Sequence, residues 1–238
     1  MVVGASRGLG RGIAVAFAEA GAPVVAVSRS AAVFPRAAGS IRAEVADAGQ
    51  ATVPASLLDR HDPEVVVVVA GAVPHMRPLQ QQTWETFSVA WETDVKVAFH
   101  WLREVLLRPL RPGSRVVVIS SGAAVNPNGS PLSGGYAGAK ATQRLITEYA
   151  RDEAERAGLD ITFTTVLPRF APMTGVGEPA VRAYAVRAGR NVEEFLKQAG
   201  PLLSPEIAGA ALTELVQADA GSVASAYMLD GTGLQKLT

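Results

Sequence analysis

Tyr136 and Lys140 stand four residues apart at the start of a helical stretch, which places both side chains on one helix face. With four tyrosines and four lysines in 238 residues, chance supplies such a pair only about 0.07 times. A free phenol titrates at about 10, and a neighbouring ammonium favours its ionised form. The pair therefore suits acid–base work in which Tyr136 gives or takes a proton. Ser121 follows the apolar run Arg115 to Ser120 and can hydrogen-bond a reacting carbonyl or alkoxide oxygen. Ser120 stands beside it, and the sequence leaves the choice between the two hydroxyls open.

A second constellation lies at the other end of the chain. Gly4, Gly8 and Gly10, interleaved with Ser6, Arg7 and Leu9, fall between a short apolar run and a helical stretch. Glycines there allow close backbone approach, and the free N–H groups of the helix start can hold a pyrophosphate. The spacing G-x-x-x-G-x-G differs from the G-x-G-x-x-G of many dinucleotide sites. At the end of the next strand, a carboxylate would accept from an adenosine ribose hydroxyl, whereas arginine would pair with a 2′-phosphate. The residues are Val27, Ser28, Arg29 and Ser30, and Arg7 offers a second positive charge, so NADP(H) is favoured over NAD(H).

These groups must be positioned by elements that the hydrophobic pattern reveals. Seven candidate strands run Met1 to Val3, Val24 to Ser28, Ile41 to Val45, Val65 to Val69, Arg115 to Ser120, Ile161 to Leu167 and Ala226 to Leu229. Most are continuously apolar, as strands buried on both faces are, and Ala- and Leu-rich helical stretches separate them. The pattern predicts a doubly wound α/β fold: a parallel seven-stranded sheet with helices on both faces. Helices are clearest at Arg11 to Ala20, Thr83 to Leu107, Gly135 to Ala157 and Pro205 to Gln217. The stretch Ser30 to Ser40, with Pro35 and Gly39, is short for a crossover helix and predicts a reduced loop. No repeat or linker divides the chain, so residues 1–238 are expected to form one domain.

Composition narrows the function classes. Apolar residues make up 48% of the chain, and acidic and basic residues balance at 22 each without runs of one sign, which argues against nucleic acid and anionic membrane surfaces. Cysteine is absent, which removes disulfides and thiolate chemistry, and the three histidines lack metal-ligand spacing, so no metal is expected. Without a signal-peptide pattern or an apolar stretch long enough to span a bilayer, a cytoplasmic protein with a small-molecule partner is expected.

Together the parts resemble the short-chain dehydrogenase/reductase family over nearly the whole chain. The Gly4, Gly8, Gly10 loop resembles the family's cofactor motif, Ile119, Ser120, Ser121 its serine strand, and Tyr136, Ala137, Gly138, Ala139, Lys140 its Tyr-x-x-x-Lys helix. Asp230 and Gly231 resemble the family's C-terminal strand signature. The resemblance implies a Rossmann fold in which Ser121 positions a substrate oxygen and Tyr136 exchanges the proton. It also implies that Lys140 binds the nicotinamide ribose and favours the phenolate, that residues 171–200 form a substrate-binding lid, and that the chain assembles as a homotetramer or dimer.

Four positions depart from the family's pattern. Val3 replaces the threonine before the first glycine, and Val68, Val69, Ala70, Gly71 replace Asn-Asn-Ala-Gly, leaving only the Ala70-Gly71 step beside the adenosine. Asp94 stands where the family has an asparagine that holds a water in the proton relay; it is read either as part of that machinery or as a helix residue paired with solvent or Lys96. Pro168 is followed by Arg169 rather than glycine, which brings a cation near the nicotinamide.

Overall fold

The computed structural model describes residues 1–35 and 40–237. Its sheet contains β1 (Val2–Val3), β2 (Val24–Ser28), β3 (Ile41–Val45), β4 (Val65–Val68), β5 (Ser114–Ile119), β6 (Ile161–Pro168), β7 (Ala226–Asp230) and β8 (Gly233–Lys236), in the order β3-β2-β1-β4-β5-β6-β7-β8. β1 to β7 pair in parallel, and β8 closes the edge antiparallel to β7. The order runs outward in both directions from β1 and β4, so the two halves of the sheet diverge there. In doubly wound sheets ligands bind at that point, beyond the strands' C-terminal ends.

The runs of valine explain the layers. Successive strand side chains point to opposite faces. Val66, Val68, Val116 and Val118 enter one core with Leu57, Trp101 and Val105, while Val67, Val117 and Ile119 enter the other with Ile13, Phe17 and Leu212. α2 (Thr52–His61), α4 (Lys96–Leu107) and α5 (Gly134–Arg156) cover the first face; α1 (Gly8–Glu19) and α8 (Pro205–Gln217) cover the second.

Several elements differ from the sequence expectation. The sheet has an eighth strand, a short hairpin return in which Leu234 is the one large apolar residue, too little pattern to read. α2 also went unread, because Pro54 interrupts its pattern; at the helix's first turn the missing N–H costs no hydrogen bond. The expected helix Thr83 to Leu107 is α3 (Trp84–Ala90) and α4 joined by a π-helical turn, Trp91–Val95. Residues 31–35 of the expected reduced loop have no regular secondary structure, and residues 36–39 of it lie outside the described residues. Among the described residues, no helix is long and apolar enough to cross a membrane.

Candidate active site

A cleft of about 1170 Å³ opens at the C-terminal ends of β1, β2, β4, β5 and β6. Its walls gather the sequence-predicted residues from elements far apart in the chain. Gly4, Ser6, Arg7, Gly8, Leu9 and Gly10 line it from the loop after β1, and Arg29 from the end of β2. Ala70 and Gly71 reach it after β4, Asp94 from the π turn, Ser121 after β5, Tyr136 and Lys140 from α5, and Pro168 from β6.

The glycine loop is shaped by steric need. Gly4 adopts a left-handed φ of 95°, and a Cβ there would stand 2.5 Å from the Ala70 nitrogen. A Cβ on Gly10 would stand 2.2 Å from the Gly4 carbonyl oxygen. The loop thus lies directly against the Ala70-Gly71 step. α1 starts at Gly8 with no side-chain cap from Arg7, leaving its first N–H groups free for an anion, and Arg7 and Arg29 are both exposed on the cleft wall. This close-packed cradle with two exposed guanidinium groups fits the diphosphate and adenosine portion of a dinucleotide.

At the opposite end of the cleft the two serines separate. Ser120 is buried, and its hydroxyl donates to the Lys140 carbonyl oxygen at 2.7 Å, tying β5 to α5. Ser121 is partly exposed, and its Oγ accepts from the Ala123 N–H at 3.2 Å, which caps the following 3₁₀ turn and leaves the hydroxyl hydrogen free. Ser121 is therefore the hydroxyl offered to a ligand.

Lys140 Nζ lies 5.5 Å from the Tyr136 ring centroid, as the four-residue spacing required. The ammonium is buried against Asp94, with Oδ2 at 2.9 Å, while Asp94 Oδ1 accepts from the Ala72 N–H at 2.7 Å. Asp94 is fully buried, so the expected alternative of solvent or Lys96 as its partner is corrected: the π turn carries it inward to Lys140. Burial works against the Lys140 charge. The Asp94 and Tyr136 charges outweigh it, so Lys140 sits above the ordinary lysine value.

Surrounding contacts hold the start of α5. A Cβ on Gly135 would meet the Phe87 carbonyl oxygen at 2.0 Å, so glycine lets α3 touch the start of α5. Trp91 Nε1 donates to the Gly135 carbonyl at 3.0 Å, and its ring lies against Gly138, between Tyr136 and Lys140. Arg169 is exposed on the cleft wall. The Thr232 hydroxyl and N–H hold the Asp230 carboxyl below the usual range, and the charge of Arg169 adds to this.

Two cleft or support residues, Asp47 and Gln143, escaped the sequence reading, whereas Tyr184 falls within the expected lid 171–200. Asp47 lines the cleft just after β3, and its position at a strand's end was the available signal. Tyr184 lines the cleft from α6 (Gly177–Arg187), where its hydroxyl meets Leu132 N at 3.3 Å and Ser133 Oγ at 3.2 Å. Gln143, fully buried on α5, accepts from Lys140 Nζ at 2.9 Å, and its three-residue distance from that lysine was its only signal.

Known proteins are similar to this chain in sequence and in fold. A hydroxynaphthalene reductase-like protein of Metarhizium majus is 30% identical over 184 residues, covering 71% of this chain and 66% of that protein. A short-chain type dehydrogenase/reductase of Picea abies is 32% identical over 189 residues, covering 71% and 68%. The chain thus spans about two thirds of the length of these relatives. In fold, it is similar to a short chain dehydrogenase from Mycobacterium avium, with a TM-score of 0.75 at 22% identity over 100% of this chain and 83% of that one. The sequence model of the short chain dehydrogenases matches residues 1–182, and with that match the chain belongs to the short-chain dehydrogenase family.

Proposed function

We propose that the chain is a cytoplasmic NADP(H)-dependent oxidoreductase. It moves a hydride between the cofactor and the carbonyl or secondary alcohol of a small, largely apolar substrate, chiefly as a reductase. One observation carries this reading: a single cleft has the glycine loop with Arg7 and Arg29 at one end, and Ser121, Tyr136 and Lys140 at the other. Arg29 at the end of β2, with no carboxylate beside it, and Arg7 in the glycine loop support a 2′-phosphorylated cofactor. The relative from Metarhizium majus is named a reductase, which supports the direction.

Bound NADPH supplies a hydride to the carbonyl carbon. As the C–H bond forms and the C=O π pair moves to oxygen, the Tyr136 hydroxyl gives that oxygen its proton, and Ser121 donates a hydrogen bond to it. Tyr136 then regains a proton from water, so carbonyl, NADPH and one proton become alcohol and NADP⁺. Lys140, held charged by Asp94, stabilises the transient phenolate. Residues 171–200, with α6 and α7 (Val192–Gln198), act as a lid over the substrate end of this one domain. Exposed Phe99 on α4 and exposed Leu145 and Tyr149 on α5 support assembly as a tetramer or dimer.

The test is NADPH oxidation against a panel of aldehydes and ketones. Tyr136→Phe is expected to lose about 100-fold or more in kcat while NADPH affinity stays within about threefold. Arg29→Ala is expected to weaken NADPH about tenfold and leave NADH unchanged. A second reading is favoured by the engagement of Lys140 with Asp94 and Gln143: a non-catalytic NADP-binding sensor. Tight NADPH binding with no turnover of any carbonyl would select it.

A further inference from the structure

Three protein oxygens surround Lys140 Nζ: Gln143 Oε1 accepts a hydrogen bond at 2.9 Å, the Ile119 carbonyl accepts a long one at 3.4 Å, and Asp94 Oδ2 stands 2.9 Å away as the counter-charge, without hydrogen-bond geometry. Gln143 has no exposed surface, and the other end of its amide donates to the Asp94 backbone carbonyl at 2.8 Å. Both ends of one buried amide are thus engaged with the ion pair, from α5 on one side and the π turn on the other. A buried amide is costly unless it is hydrogen-bonded, and a leucine of similar size would fill the space without that cost.

We propose that Gln143 is a positioning residue. Together with Asp94 it clamps the Lys140 ammonium, which acts on Tyr136 as a fixed charge shielded from water. Among the described residues, the charged and titratable groups facing the ammonium are Asp94 on the π turn and Tyr136 on α5, and β5 presents the Ile119 carbonyl. This inference rests on the catalytic reading of Tyr136 and Lys140 given above.

Two substitutions separate a clamp from a core filler. Gln143→Leu keeps the volume and leaves Nζ and the Asp94 carbonyl without their partner, whereas Gln143→Ala opens a polar space that a water can enter to bridge them. A clamp predicts a fall in kcat of about tenfold or more for Gln143→Leu, with Gln143→Ala retaining at least about threefold more, and KM for NADPH and carbonyl within about twofold in both. A filler predicts the reverse order, because alanine leaves the larger cavity. Equal or greater activity of Gln143→Leu, or a loss carried by KM, would overturn the proposal.

A second measurement needs no turnover. In ¹⁵N-labelled protein, the Lys140 ammonium, assigned by its loss in Lys140→Arg, is expected to show hydrogens in slow exchange with water. That signal should persist in Gln143→Leu and vanish in Gln143→Ala. Its absence from the unaltered protein would overturn the clamp even where carbonyl turnover is found, and its presence without turnover would count against the catalytic reading alone.

Discussion

Lys140 and Asp94 tie the fold's stability to pH. The folded lysine sits above its ordinary value, so the pair's contribution is whole below about 10.4 and is lost as pH rises through the raised folded value. The urea midpoint should therefore fall more steeply above that pH in the unaltered protein than in Lys140→Met. At neutral pH, Asp94→Ala leaves a buried ammonium without its counter-charge and is expected to cost about 3–5 kcal/mol in urea unfolding. An unchanged midpoint would remove Asp94 from this role. Tyr136, Lys140 and Ser121 were legible because their chemistry fixes residue type and spacing together. Gln143 was not, since a polar residue on a helix ordinarily faces water, and only the backbone of the π turn shows that this one faces the ion pair.

At the scale of elements, contacts between backbones decide what fits. α8 crosses α1 so closely that a Cβ on Gly12 would stand 2.1 Å from the Pro205 carbonyl oxygen, and one on Gly209 would stand 2.6 Å from the Gly12 carbonyl oxygen. Gly12→Ala must therefore separate the two helices, with an expected loss of about 1–3 kcal/mol read by thermal unfolding. Retention of the original melting temperature would show that the crossing yields without cost. β4 and β5 were legible because runs of valine buried on both faces leave no other reading. β8 was not, because its hairpin is set by the turn at Asp230, whose Oδ1 accepts from Thr232 N at 2.8 Å and from the Thr232 hydroxyl, rather than by a hydrophobic run.

For the whole molecule, the parallel order from β3 to β7 places every predicted site residue at one edge of the sheet, which the alternation of strands and helices already implied. What alternation does not contain is the outer surface. Phe99, Leu145 and Tyr149 lie exposed on adjoining helices, and a buried interface would account for them. Tyr149→Glu is expected to shift sedimentation toward the monomer, and an unchanged sedimentation coefficient would place the interface elsewhere. The indole of Trp91 has a different consequence. Of the three tryptophans, Trp84 is largely exposed, Trp101 is sealed in the core, and Trp91 rests on the helix turn between Tyr136 and Lys140. The molecule therefore carries its own optical label at the start of α5. Changes in fluorescence from that one indole would report local rearrangement there without any dye attached.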